Sequence, residues 1–372
     1  MMRSGSSSTG QLAAARRCSV CGAPAVAYLP YARLALCKTH FVEYIDRKVG
    51  RVLRRVSALR PGGLIVAAVS GGKDSTAMLA SLAKHARSSG TRLLAVHIDL
   101  GYGDYSLRSR EAAEKACREL GVPCLVIPFE DVVGVSVYEL ARRSRRPVCS
   151  VCGIVKRYVL NALAVEAGAD YVALGHNGDD ILAYALKSFL NQDLGYIAKL
   201  GPSTETVPGL AVGRLRPLYE VFEKETLIYV LVSGLPFLHE ECPYRPQAPI
   251  EQRLKEAMNH LEEEHPGLKI SALRRLAKNV KLYERLGGGG ETGRCRHCGL
   301  ISAGEECSFC RLTRRVLGEP AGPRVRTWLR ERLEELGLRG GAPGGSTGGL
   351  HVRGDQALGE TKRGQEDTRG GA

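Results

Sequence analysis

The stretch from Leu64 to Ser75 constrains this chain more than any other. An apolar run, Leu64–Val69, enters Ser70-Gly71-Gly72-Lys73-Asp74-Ser75, and helix-period residues begin directly afterwards. A buried strand that turns through two glycines into a helix start aims backbone N–H groups at one point, and the helix dipole adds positive potential there. Such a turn cradles an anion. Three more short apolar runs follow, Leu93–Ile98, Cys124–Pro128 and Tyr171–Leu174, alternating with helix-period segments at Ser75–Arg87, Ser106–Leu120, Val151–Ala167 and Asp179–Leu190. This alternation predicts an α/β fold, a parallel sheet with helices on both faces. Ile250–Glu264 and Ile270–Leu286 read as two further helices.

The 372 residues accommodate one such domain with smaller appendages. We expect disorder over 1–17 and a cysteine-bearing module with a linker helix over 18–60. The α/β domain then spans 61–240 and a helical extension 241–290. A second cysteine module with a basic helix occupies 291–338. The tail 339–372, with 11 glycines in 34 residues, is expected to be disordered. The net charge of +14 favours a polyanionic partner such as nucleic acid. No run approaches the roughly 20 consecutive apolar residues that span a bilayer. The Ser/Gly-rich start, Met1 to Gly10, lacks the apolar core of a signal peptide, so a cytoplasmic, membrane-free protein is expected. In a reducing compartment the twelve cysteines read as metal ligands.

Their spacing sorts them. Cys18, Cys21, Cys37 and His40 make a CxxC…CxxH pattern, and Cys295, Cys298, Cys307 and Cys310 make CxxC…CxxC. Each set supplies four ligands at knuckle spacing and reads as a closed structural zinc site, so two Zn²⁺ are expected. Cys149 and Cys152 open a helix with no second pair nearby, and Cys242 stands alone in Glu241-Cys242-Pro243-Tyr244. Three thiolates, the third distant in sequence, suit a [4Fe–4S] cluster whose fourth iron lacks a protein ligand. A disulfide relay or inert buried thiols are the competing readings. Cys117 and Cys124 fit core faces. Arg142, Arg143, Arg145, Arg146, Lys156 and Arg157 flank the CxxC without an acid, and seven arginines lie between Arg311 and Arg332, with Trp328 among them. Both runs suit phosphate-backbone tracking on a folded RNA, or plain solvated helix faces.

The glycine loop lacks the GxxxxGK[ST] spacing of a Walker loop; it looks like the loop of ATP pyrophosphatases, which cleave between the α and β phosphates. Ser70, Gly71, Gly72 and Ser75 are expected to hold pyrophosphate, Lys73 to offset its charge, and Asp74 to position Mg²⁺. His97-Ile98-Asp99 and Leu174-Gly175-His176-Asn177 end strands at the carboxyl edge, where open α/β sheets bind ligands. Asp179 and Asp180 then open a helix, as caps or as functional carboxylates.

Taken together, SGGKDS (70–75), HID (97–99), CSVCGIVKR (149–157), LGHNGDD (174–180), ECPY (241–244) and both four-ligand patterns resemble the TtuA-type tRNA 2-thiouridine synthetases, relatives of the TtcA cytidine thiolases. The resemblance spans about 18 to 312. It implies that His97, Ile98, Asp99, Gly175 and Asn177 hold the nucleotide, that Cys149, Cys152 and Cys242 hold an oxygen-sensitive [4Fe–4S] cluster, and that Lys156 and Asp180 are catalytic with the CxxC thiols. It further implies an ATP-using sulfurtransferase that adenylates a tRNA uridine at O2 and replaces that oxygen with sulfur delivered at the cluster. The sulfur donor would be a ubiquitin-like carrier with a thiocarboxylate terminus, or sulfide, and the protein a homodimer. Many relatives carry an acid after the strand-end Asp, where this chain has Leu100. Uridine 54 is the expected target. Wobble uridine 34, a ligase acting on another substrate, and a non-enzymatic zinc protein that binds RNA are the alternatives.

Overall fold

The computed structural model describes residues 16–247, 249–287 and 292–338. Of the disorder expected over 1–17 and 339–372, residues 1–15 and 339–372 lie outside the described residues, whereas Arg16 and Arg17 are ordered, Arg17 bridging to Pro24 and the Arg16 carbonyl accepting from the Ala25 N–H. An antiparallel pair, β1 (Ala27–Leu29) and β2 (Leu34–Leu36), precedes helix α1 (Lys38–Arg55). The core sheet follows as β3 (Leu64–Ala68), β4 (Arg92–Asp99), β5 (Cys124–Pro128), β6 (Tyr171–Ala173) and β7 (Gly213–Leu215), all parallel, in the order β5-β4-β3-β6-β7. Between these strands run α2 (Lys73–Ser89), α3 (Asp104–Glu119), α4 (Phe129–Val133), α5 (Val137–Ser144), α6 (Val148–Glu166), α7 (Gly178–Leu190) and α8 (Leu194–Ala198). After β7 come α9 (Glu223–Ser233), α10 (Ile250–Glu264), α11 (Leu268–Lys278) and α12 (Val280–Leu286). The short pair β8 (Gly293–Arg294) and β9 (Ile301–Ser302) leads into α13 (Ser308–Leu317) and α14 (Gly322–Glu335).

Alternation along the strands separates two cores. Leu64, Val66, Leu94 and Val96 pack with Val155, Val159 and Ala162 of α6 and with Val325 and Leu329 of α14. Ile65, Ala67 and Ala95 face Phe41, Ile45 and Val49 of α1 and Met78, Leu79 and Leu82 of α2. Helices thus cover both faces, as expected for parallel strands buried on each side.

The chain builds outward from β3 through β4 to β5, then crosses back to β6 and β7. Strand order therefore reverses between β3 and β6, and the carboxyl ends of strands flanking such a reversal form the ligand crevice of open α/β sheets. The loops that leave β3 and β6 carry residues 70–75 and 175–180.

Four features depart from expectation. β7 is a three-residue strand, Gly-Arg-Leu, too short and too polar to register as an apolar run. Ile270–Leu286 is two helices, broken at Asn279, which caps the second. α2 starts at Lys73 and α6 at Val148, each a few residues earlier than periodicity suggests, so Cys149 and Cys152 lie within the first turns of α6. That helix, 19 residues with mean hydropathy 1.5, is by length and composition apolar enough to cross a membrane. Its apolar side is instead the main contact surface of one sheet face, and it also carries Lys156, Arg157 and Asn161.

Candidate nucleotide, cluster and zinc sites

The phosphate loop is held by its own hydroxyls. Ser75 Oγ donates to the Gly72 carbonyl at 2.9 Å and accepts from the Ser70 N–H at 3.2 Å. Gly71 has φ +83°, and a Cβ there would stand 2.3 Å from the Ser109 carbonyl, so both backbone angle and space demand glycine. Gly72 is the N-cap of α2 and provides no side-chain cap, which leaves the first N–H groups of the helix directed at the crevice. On the opposite wall, a Cβ at Gly175 would lie 3.0 Å from the Ser75 backbone, so the β6 loop packs directly on the start of α2.

Asn177, fully buried, caps α7. Its Oδ1 accepts from the N–H groups of Asp179 and Asp180, and its Nδ2 donates to Asp74 Oδ1 at 3.1 Å. Asp74 Oδ1 also accepts from Thr226 Oγ1 at 2.5 Å. Asp179 is an anchor rather than a cap: it is 4% exposed, accepts from Lys269 Nζ at 2.6 Å and takes the Glu223 backbone N–H at 2.8 Å. Asp180 Oδ2 completes a capping box with the Asn177 N–H at 3.1 Å, while its Oδ1 faces Lys255.

A chain of charges joins the two walls. Lys73 Nζ donates to Asp74 Oδ2 and to Glu223 Oε1, each at 2.9 Å; Lys255 Nζ donates to Glu223 Oε2 at 3.0 Å and lies 2.5 Å from Asp180 Oδ1. Burial disfavours ionised Glu223, but Lys255 and Lys73 outweigh it and hold its carboxyl down at about 2. Against the same cost of burial, Asp180 and Glu223 raise Lys255, and Asp74 and Glu223 raise Lys73. Neither Glu223 nor Lys255 stood out in the sequence. Glu223 opens α9, a stretch in which the sequence marked no element, and Lys255 lies on the amphipathic α10, 75 positions from its partner Asp180.

His97 is 2% exposed, with Nδ1 2.9 Å from the Val69 carbonyl and Nε2 without a partner. Burial lowers its pKa, so the neutral ring with Nδ1–H donating props the residue that enters the phosphate loop. Ile98 and Asp99 stand half-buried at the carboxyl end of β4, and Asp99 Oδ1 accepts from the Gly101 N–H at 3.1 Å. His176, lowered by burial, has an unpartnered Nδ1 and meets Tyr184 edge-on at 6.0 Å.

Cys149, Cys152 and Lys156 occupy positions i, i+3 and i+7 of α6 and so share one stripe. Cys149 is exposed, with its thiol directed to the Tyr244 carbonyl at 3.3 Å. Burial together with the thiols of Cys242 and Cys152 raises it, and the ammonium of Lys156 opposes the rise. All three thiols act on the buried hydroxyl of Tyr102, whose pKa is pushed up first by burial, then by the Cys152 thiol and, more weakly, by those of Cys242 and Cys149. Tyr102 in turn meets Tyr244 at 4.8 Å, two residues beyond Cys242. Among the described residues, only two sets of three or more potential ligands lie mutually within 4.8 Å. Cys149, Cys152 and Cys242 are not such a set, so they are spread more widely than a single tetrahedral ion requires, and three soft ligands at that spread fit a larger inorganic group.

The two compact sets are Cys18, Cys21, Cys37 and His40, and Cys295, Cys298, Cys307 and Cys310. Cys21 and Cys37 Sγ stand 3.8 Å apart, as do Cys298 and Cys307 Sγ. A tetrahedral ion with bonds of about 2.3 Å requires thiolates about 3.8 Å apart. His40 Nδ1 lies 3.4 Å from Cys18 Sγ and 3.3 Å from Cys37 Sγ. The second set packs onto α6: Tyr158 stacks on Phe309 at 4.0 Å and donates to the Gly322 carbonyl at 3.0 Å. A Cβ on Gly322 would meet Cys310 Sγ at 2.5 Å.

The two basic runs differ. Arg142, Arg145 and Arg146 are exposed beside Cys149 and form no ion pair among the described residues. Of the seven arginines from Arg311 to Arg332, five are paired with carboxylates: Arg314 with Glu306, Arg324 with Glu319, Arg326 and Arg330 with Glu166, and Arg332 with Glu335. Most of that second cluster is therefore neutralised within the fold.

Comparison with known proteins follows the same lines. The model described as 2-thiouridine synthetase TtuA, N-terminal LIM domain, matches residues 17–42, and the PP-loop domain matches 43–247. A tRNA-5-methyluridine(54) 2-sulfurtransferase of Pyrococcus horikoshii is 37% identical over 79% of this chain and 93% of its own length. One of Thermus thermophilus is 39% identical over 79% and 90%. The solved U34-tRNA thiolase NcsA of Methanococcus maripaludis, described with its [4Fe-4S] cluster, superposes with a TM-score of 0.68 at 27% identity, over 81% of this chain and 96% of that one.

Proposed function

Because the chain belongs to the TtuA-type family of PP-loop tRNA 2-sulfurtransferases, we propose that it adenylates uridine 54 of tRNA at O2 with ATP and exchanges that oxygen for sulfur. Transfer of sulfur to a tRNA base is the enzyme's reaction; the position, donor and residue roles are our reading. Position 54 is favoured by the names of the two more similar relatives, against position 34 in the name of the more distant thiolase.

One observation carries the mechanism: the Leu238 N–H donates to the Gly71 carbonyl at 2.8 Å. Cys242 follows four residues later, which an extended chain covers in at most about 14 Å. The segment bearing the third thiol is therefore tied to the phosphate loop, and the adenylating and sulfur-delivering ends face one pocket.

In the first step the uridine O2 attacks the α-phosphorus, and the bond to the β-phosphate oxygen breaks. Pyrophosphate leaves into the α2 N-terminus, held by the N–H groups after Gly72 and by Ser70 and Ser75. Lys73 exchanges its carboxylate partners for the developing charge, and Asp74 would hold the Mg²⁺ that neutralises the phosphates. In the second step sulfur forms a bond to C2 as the C2–O bond breaks and AMP departs. Asp180, held by Lys255, and Lys156, aligned with the thiols, manage charge on the activated base. Cys149, Cys152 and Cys242 would hold a [4Fe–4S] cluster, which when bound supplies an iron without a protein ligand as a station for sulfur. The two compact ligand sets would each hold Zn²⁺. A thiocarboxylated ubiquitin-like carrier or free sulfide is the donor, the cytoplasm the setting, and a homodimer the assembly.

Mass spectrometry of tRNA nucleosides tests this reading. Anaerobic protein with ATP, Mg²⁺ and sulfide should yield a 2-thio derivative of the position-54 nucleoside. A 2-thiouridine confined to position 34 would replace the site assignment, and no thionucleoside at all would overturn the function.

A further inference from the structure

Asn161, in the middle of α6, is fastened to the segment that leads into β7: its Oδ1 accepts from the Val212 N–H at 3.0 Å, and its Nδ2 donates to the Leu210 carbonyl at 3.0 Å. α6 runs back against the parallel strands. One turn back along the helix, about 6 Å, and two residues forward along β7, about 6.6 Å, therefore bring Arg157 and Arg214 to the same height. The register agrees: Arg214 pairs with Val172, which packs in the core on the α6 face, while its neighbour Leu215 packs on the opposite face.

Arg214 is half-buried and Arg157 exposed. Among the described residues neither guanidinium has a carboxylate or hydrogen-bonding partner, and the charge acting on Arg214 most strongly is that of Arg157. The two like charges repel each other and that of Arg214 is partly desolvated, so the arrangement is stabilised when an anion binds beside both. The neighbouring Arg216 is unlike them, since it donates to the Lys199 carbonyl at 2.8 Å and the Gly201 carbonyl at 2.5 Å. Those bonds fasten the end of α8 beside β7 and bring Tyr196, 43% exposed, next to Arg214. Lys156, at the reaction centre proposed above, immediately precedes Arg157.

We propose that Arg157 and Arg214 form a phosphodiester-binding subsite for the RNA substrate, with Tyr196 as the stacking platform for an adjacent base. A bidentate guanidinium pair suits a phosphate oxyanion, and an exposed aromatic ring beside it selects a nucleic acid over a free phosphate. This rests on the reading of the substrate as tRNA. The subsite fixes the nucleotide next to the target, so that the target base enters between the phosphate loop and the thiols.

The test is tRNA binding by the full-length chain across a salt series, with ATP binding measured in parallel. Arg157→Gln, at an exposed position, and Arg214→Gln should each weaken tRNA binding by about tenfold and make the log–log salt dependence shallower by about 0.7 to 0.9. ATP affinity should be unchanged. Tyr196→Ala should weaken tRNA binding without altering the salt slope, and Tyr196→Phe should restore it. Weakened ATP binding with intact tRNA binding would assign the pair to nucleotide phosphate and overturn the proposal. Unchanged tRNA binding in Arg157→Gln, or a lowered melting temperature as the sole effect of Arg214→Gln, would also overturn it by making the pair structural. A wild-type chain with no affinity for tRNA would instead remove the substrate reading, and this subsite with it.

Discussion

Lys255 lies 2.5 Å from Asp180, and the same ammonium donates to Glu223, whose other oxygen receives Lys73 from the phosphate loop. The carboxylate proposed to act on the activated base is thus linked, through Lys255 and Glu223, to Lys73, the group proposed to meet the ATP phosphates. On the mechanism proposed above, phosphate would displace Glu223 from Lys73 and leave it to Lys255, so that the orientation of Asp180 would respond to nucleotide arrival.

Lys255→Met should therefore slow thiolation by on the order of tenfold to a hundredfold, the worth of one charge-assisted hydrogen bond, with ATP binding retained. Lys255→Arg should recover part of the rate. Single-turnover AMP release with bound tRNA measures it, and unchanged turnover in Lys255→Met would disprove the coupling.

Lys73→Ala removes the one loop cation positioned to offset charge on leaving pyrophosphate. We expect tRNA-dependent pyrophosphate release to fall by on the order of 10² to 10³, with α2 still folded, because its N-terminus is held by Ser75 and not by Lys73.

Cys149→Ala should abolish the brown absorbance of the anaerobically reconstituted protein and all thiolation, while tRNA binding persists. Full thiolation by this variant would remove the iron–sulfur assignment. The exposure of Cys149 also predicts that air bleaches the wild-type chromophore.

The zinc assignments predict two Zn²⁺ per chain by elemental analysis, and one in Cys307→Ser. Loss of the second ion should open α13 and α14 to hydrogen exchange, since β8 and β9 contribute two residues each and bury little surface by themselves.

Glu223 provides a pH test. Its carboxyl is depressed from the ordinary 4.5 to about 2, so its contribution is complete above about 4.5 and disappears as the pH falls towards 2. Wild-type melting temperature should decline across that window more steeply than that of Glu223→Gln, and parallel curves would contradict the ion-pair geometry.

Local chemistry was legible in the sequence. The phosphate loop, both four-ligand patterns and the CxxC lie within short stretches; the fold gathers each four-ligand set within 4.8 Å, and the strand–helix alternation foretold the parallel sheet. What the sequence hid depends on long-range closure. β7 carries a single buried leucine, so no period-2 pattern announces it, yet it supplies Arg214 and completes the sheet. Asn177 has the residue type of a helix cap and is one; that its amide also reaches Asp74 depends on β3 and β6 being neighbours. Glu223 and Lys255 become visible only when α9 and α10 fold over the crevice.

The contact of Tyr158 with Gly322 and Phe309 has a consequence for the cluster. Tyr158 sits six residues beyond Cys152 on the same rigid helix, so whatever grips the ring also sets the rotation of α6 about its axis. Cys310, beside Gly322, belongs to the distal four-cysteine set, so a zinc ion held there, as proposed, would be a remote fixture for the direction in which Cys149 and Cys152 point. A protein stripped of the distal zinc alone, with every cluster ligand intact, should consequently assemble iron–sulfur poorly.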